Sequence, residues 1–140
     1  MTKIIPYFFL IFINCLVSVN ASPGVYACQD THSSGLEWKG GRWQNQNYFA
    51  DRKFFLKIEG DRITPDSARS AGGLGARTIC HGAYQTASHG TIFTCDDYSD
   101  KLVFNPAAGA GARSALFGSI SHRGNERDSV AVTTFVCQKM

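Results

Sequence analysis

Ser129-Val130-Ala131-Val132-Thr133-Thr134-Phe135-Val136-Cys137-Gln138 is the stretch that decides the fold class. It is dense in β-branched residues, which lose rotamer freedom in a helix and pack well on a pleated surface. Its alternation puts Val130, Val132, Thr134 and Val136 on one face and Ala131, Thr133, Phe135 and Cys137 on the other. That two-residue period is a strand's, not a helix's.

Working back from this segment, the same signals recur. Ser114–His122 reads as a strand with Leu116, Gly118 and Ile120 on one face, joined to the last by a turn at Arg123–Arg127. Thr91–Cys95 and Lys101–Phe104 flank the polar run Asp96–Asp100, which predicts a hairpin with a five-residue loop. Phe54–Glu59 alternates toward its end and stops at Gly60-Asp61, a turn pair; Arg62–Thr64 starts the return and Pro65 ends it. Val25–Gln29 reads as the first strand. Two Gly/Ala/Ser-rich stretches, Asp66–Arg77 and Pro106–Arg113, read as loops; their alanines leave room for a helical turn, while their glycines argue against a long helix. Hairpins in chain order predict an all-β domain. It is a small antiparallel meander of about six to eight strands, as barrel or sandwich.

One short run fixes relative side-chain positions. Glu37-Trp38-Lys39-Gly40-Gly41-Arg42-Trp43-Gln44 holds a Gly-Gly pair between strand-like residues. A two-residue hairpin needs φ > 0 at both central residues, which glycine adopts freely. In that register Lys39 faces Arg42, and Trp38 faces Trp43 across a close, non-hydrogen-bonded pair. Trp38, Lys39, Arg42 and Trp43 are thus candidate partner-binding residues, since Trp and Arg are enriched at interface hot spots. Tyr48, Phe49, Arg52 and Lys53 follow and extend such a surface. The plainer reading lays the tryptophans on the core, and a small domain with two tryptophans is expected to bury at least Trp43.

The chain's start reads as an export signal, residues 1–21. Lys3 supplies a cationic n-region, Ile4–Val19 is a 16-residue apolar run without charge, and Val19-Asn20-Ala21 ends in the small residues that signal peptidase reads. The run is short against the ~20 residues that span a bilayer. Residues 22–140 then form a single β-rich secreted domain, periplasmic or released, with no membrane span expected. Loss of Lys3 leaves 13 cations against 11 anions, a formal +2, too weak to imply a nucleic-acid partner. Cys15 leaves with the leader, so Cys28, Cys80, Cys95 and Cys137 remain. Four cysteines in a small exported domain read as two disulfides. The pairing expected is Cys80–Cys95, between neighbouring segments, and Cys28–Cys137, tying the first strand to the last.

No motif specifies a reaction. His32, His81, His89 and His122 stand in no catalytic or metal-ligating spacing, so no catalytic, cofactor-binding or metal site is assigned and no cofactor is expected. Asp96, Asp97 and Asp100 lack the pattern of a calcium loop and read as a solvated hairpin tip. Gly72-Gly73-Leu74-Gly75 reads as a loop, not a phosphate cradle. The reading favours a non-enzymatic binding or inhibitor-type domain whose partner is a protein or an envelope component. A small nuclease-like hydrolase using histidines and a structural envelope protein are the alternatives.

Tyr26-x-Cys28, Gly35-Leu36-x-Trp38, Trp43, Asn47-Tyr48-Phe49 and Phe54, continued by Ile79-Cys80-His81-Gly82, Gly90, Cys95, Phe104 and Cys137, carry a resemblance. The pattern resembles a group of small, uncharacterised secreted bacterial proteins across most of residues 22–140. The resemblance implies bacterial origin and an envelope location, but no activity and no catalytic residue. In architecture alone the domain is also similar to periplasmic lysozyme inhibitors, an analogy that carries no function.

Overall fold

The strand read over Ser129–Gln138 is present as β10, Ser129–Lys139, and it sits at the centre of the sheet. The structure is a computed structural model and describes residues 23–98, 100–116 and 129–140. The leader, most of the strand read over Ser114–His122, and the turn Arg123–Arg127 lie outside the described residues. The chain order is β1 (Gly24–Lys39), β2 (Arg42–Asn47), β3 (Lys53–Glu59), β4 (Arg62–Ile63), α1 (Pro65–Ser70), β5 (Ile79–Cys80), β6 (Tyr84–Thr86), β7 (Gly90–Asp97), β8 (Asp100–Asn105), β9 (Ala110–Ala115) and β10.

Eight of these strands pair in the order β4-β3-β1-β10-β9-β8-β7-β5, every ladder antiparallel. The ends of that order come together where the Ala83 N–H donates to the Asp61 carbonyl at 2.6 Å. The result is a nearly closed eight-stranded barrel, which decides between barrel and sandwich. β2 adds to β1 beyond the end of β3, and β6 adds to β7 beside β5.

The barrel is filled by the residues that alternation puts inside. Phe135 and Cys137 of β10 meet Cys28 and Tyr26 of β1, Phe54, Leu56 and Ile58 of β3, and Leu102 and Phe104 of β8. Tyr26 packs edge-on against Phe104 and Phe54 edge-on against Phe135, ring centroids 5.1 and 5.2 Å apart. Burial pushes the Tyr26 phenol's pKa above its ordinary value. Both disulfides join directly opposed residues: Cys28–Cys137 links β1 to β10 and Cys80–Cys95 links β5 to β7. The expected pairing is therefore the one formed, and it points to an oxidising, extracytoplasmic compartment.

Two sequence expectations are corrected, and the helical turn for which the alanines of Asp66–Arg77 leave room is present. Pro106–Arg113 is not all loop, because its last four residues belong to β9, which pairs with both β8 and β10. Gly111 lies between Phe104 and Phe135 on the flanking strands, and a Cβ there would overlap the Phe135 ring. The glycine that argued for a loop is the space into which two stacked rings fit. Asp66–Arg77 opens as α1, where Pro65 supplies a pre-set φ and Ser67 ties the turn to β3 through the Lys57 N–H. Ala68, Ala71 and Leu74 from this stretch are core residues. Finally, the acidic hairpin is tight: Asp97 pairs with Asp100, and Tyr98 takes φ 55°.

Candidate functional site: the tip of the first hairpin

β1 is one 16-residue strand rather than the short one expected, and a bulge divides it. Tyr26, Cys28 and Asp30 point into the barrel; the register then shifts between Asp30 and His32, and Ser33 becomes the next inward residue. One extra residue in a bulge bends the strand and exchanges its faces beyond that point. Counting by twos from Cys28 would carry Leu36 and Trp38 inward. The bulge sends them to the outer face instead.

That exchange decides the character of the hairpin. Lys39 pairs with Arg42 and Trp38 with Trp43, as the sequence predicts, with φ 60° at Gly40 and 77° at Gly41. The two indole rings meet edge-on, centroids 5.4 Å apart. Such a cross-strand aromatic pair is worth roughly 0.2–1 kcal/mol. Trp43 is half-buried and outside the core cluster, which corrects the expectation that it would fill the core. Trp38 is likewise half-buried. The outer face shared with the tryptophans carries Leu36 and Asn45 beside them and Val130 and Val132 on β10. Leu36 and Val132 are exposed.

Lys39 and Arg42 occupy the opposite face of the ribbon and are exposed. Among the described residues neither has a carboxylate within ion-pair distance. The hairpin is braced near its base by Tyr48, whose hydroxyl donates to the Leu36 carbonyl at 3.1 Å. Burial pushes the Tyr48 pKa up, and the Glu37 carboxylate acts in the same direction against a hydrogen bond with Ser129. Phe49 follows immediately and is 97% exposed, while Arg52 and Lys53 return the chain to the barrel wall. Between β1 and β2 lies a depression of about 470 Å³, lined by Ser34, Gly35, Leu36, Asn45, Gln46 and Asn47.

No protein-family model, curated protein or solved structure matches the chain.

The described histidines are engaged separately. His81 Nε2 meets Asp96 Oδ2 at 2.7 Å, and His89 Nδ1 meets the Ser88 hydroxyl at 2.6 Å, both on exposed surface. His32 lies opposite Thr134 at the bulge, and His122 is outside the described residues. The acids of the β7–β8 hairpin are not the solvated tip expected. Asp97 accepts from the Gly75 N–H at 2.7 Å and Asp100 from the Leu116 N–H at 2.6 Å. These carboxylates anchor neighbouring backbone. Among the described residues no helix is long and apolar enough to cross a membrane, and no cluster of three or more metal-ligating side chains occurs.

A polar cluster lies inside the barrel. Arg113 of β9 grips Asp30 through both guanidinium Nη groups at 2.6 and 2.7 Å, its Cζ 5.5 Å from the Phe54 ring centroid. The Ser33 and Thr133 hydroxyls bond each other at 2.8 Å nearby in the ladder. Arg113 falls in a stretch whose composition reads as a loop, and Asp30 stands just past the strand read over Val25–Gln29 and before a polar run, so neither the pair nor its burial shows in local pattern.

Proposed function

We propose that the chain is a non-enzymatic exported binding domain, periplasmic or released, that engages a protein or envelope component through the β1–β2 tip. The bulge at Asp30–His32 carries this reading, because it turns the half-buried tryptophan pair and Val130 to the outer face of the sheet, beside exposed Leu36 and Val132. Aromatic and arginine side chains in one small projection are what interface anchors require, and apolar groups gathered on a surface mark contact sites. The cations on the ribbon's other face favour a partner that closes around the tip and presents acidic groups to Lys39 and Arg42. The resemblance to small secreted bacterial proteins and the paired cysteines support the location.

Two experiments test it. Trp38→Ala and Trp43→Ala proteins should each lose about 1 kcal/mol or less of stability, the scale of a half-exposed cross-strand pair. Capture of the partner from envelope extract should weaken by about 2 kcal/mol or more. Capture equal to wild type by both folded variants would defeat the tip as the contact. Separately, N-terminal sequencing of protein recovered outside the cytoplasm should begin at Ser22, and an intact Met1 in the membrane fraction would refute processing.

A further inference from the structure

Residues 74–81 form a flap at the barrel seam. They include β5, the two-residue strand that ends the sheet order and pairs with β7 alone among the described residues. Glycines stand at both ends of the flap. Gly72 and Gly73, with φ 84° and 90°, precede it, and Gly82 follows it. The chain beyond each end is fixed on its own account: Ser67 and Ser70 tie α1 to β3, and β6 pairs with β7. Four consecutive residues hold the flap down. Cys95 bonds to Cys80, Asp96 meets the His81 ring, Asp97 accepts from the Gly75 N–H, and the Tyr98 ring lies against the Arg77 guanidinium. The last three contacts are on exposed surface, where such ties contribute little. Apolar burial adds little more, because Leu74 is buried while Ile79 is exposed. The disulfide is the strong fastening.

We propose that Cys80–Cys95 is a redox latch. Its reduction by a protein dithiol lets residues 74–81 leave β7 and opens the barrel wall beside β4, while the Cys28–Cys137 bridge and the rest of the sheet stay in place. Both bridges are buried, with Cys80 at 6%, Cys95 at 0%, Cys28 at 5% and Cys137 at 8% exposure. A thiolate therefore reaches either one only after local opening. The two openings differ greatly in extent. Cys80 sits on a two-residue strand with a neighbour on one side, whereas β1 and β10 are long and flanked on both sides, by β3 and β9 beyond each other. In the exchange, one thiolate of the dithiol attacks Cys80 Sγ, the S–S bond breaks, and Cys95 Sγ leaves and takes up a proton. The second thiol then displaces Cys80 Sγ, which is protonated in turn. The dithiol ends as a disulfide, and its two electrons have reduced the latch. Opening takes Leu74 out of the core and exposes apolar surface next to Ile63 of β4. The flap shares no residue with the β1–β2 tip, so the latch does not rest on the binding reading above.

Purified oxidised protein is treated with dithiothreitol as the dithiol probe, alkylated and peptide-mapped. Cys80 and Cys95 should be labelled about tenfold or more faster than Cys28 and Cys137. In the singly reduced protein, amide exchange should quicken over residues 74–83 and leave β1 and β10 unchanged, and a dye that reports apolar surface should bind. Reoxidation should reverse both. The protein with Cys80→Ser and Cys95→Ser should show the open flap without reductant; the wild-type measurements decide the matter if that variant does not fold. Reduction of Cys28–Cys137 as fast as Cys80–Cys95 overturns the proposal. So does selective reduction that leaves exchange over 74–83 unchanged, or that spreads fast exchange to β1 and β10.

Discussion

Replacing Arg113 with methionine is expected to lower the unfolding free energy by roughly 3–5 kcal/mol, the scale seen when one member of a buried ion pair is removed. The Asp30 side chain is 3% exposed and both of its oxygens are taken by Arg113, whose own side chain is 11% exposed. Methionine fills much of the same space and gives up the guanidinium's place over the Phe54 ring. The loss would therefore come from a carboxylate stranded in the barrel, beside the Ser33–Thr133 hydroxyl pair that is already satisfied. Removing both charges separates this cause from lost packing. Arg113→Met with Asp30→Leu should recover most of the stability, because two apolar side chains in place of a buried pair are often neutral or better. Urea titrations of the single and double variants measure the difference. A single variant within about 1 kcal/mol of wild type would mean that water reaches Asp30 and that the pair is not a structural tie.

The same residues show how far the sequence is readable. β10 and β3 were legible because each has one face in the barrel and one in water, which writes a two-residue period into the chain. The hairpin register was legible because two consecutive glycines leave few turn geometries. β9 was not, because its inward positions are Gly111, whose missing side chain admits Phe135, and Arg113, whose partner is 83 residues away. Local propensity has no access to either fact.

The candidate site was half legible for a related reason. Which residues oppose one another across the Gly40-Gly41 turn is a local matter. Which face they share with the core depends on every residue between the turn and the barrel. The bulge at Asp30–His32 is set by tertiary demands: Asp30 must meet Arg113, and Ser33 must meet Thr133. Alternation alone favours a buried Trp38–Trp43 pair, and one inserted residue reverses it. The acidic turn illustrates the converse. Three aspartates close together resemble a solvated tip, yet one oxygen of each is held by neighbouring backbone or by the His81 ring, and the other oxygen of Asp97 is buried without a hydrogen-bond partner among the described residues.

Removing the Cys28–Cys137 bridge by a double alanine substitution should cost about 5 kcal/mol, more than the ~3 expected for removing Cys80–Cys95, if both act by restricting the unfolded chain. The sequence separations are 109 and 15 residues, and loop-closure entropy grows with the logarithm of that length. In the native state the long bridge is nearly redundant, because Cys28 and Cys137 are already opposed within a ladder running from Tyr26–Lys139 to Glu37–Ser129. Its contribution therefore lies in the unfolded ensemble, where it holds together the two ends that must meet before β1 can join β10. Two consequences follow, the first of which a purely native-state account would not give. Folding of the double variant should slow, because that non-local pairing must form without a tether. Its melting temperature should fall by roughly 10–20 °C, given a few degrees per kcal/mol in a domain of this size. Stopped-flow refolding beside thermal melts tests both. Equal losses for the two bridges would show that strain or residual structure in the unfolded chain outweighs loop length.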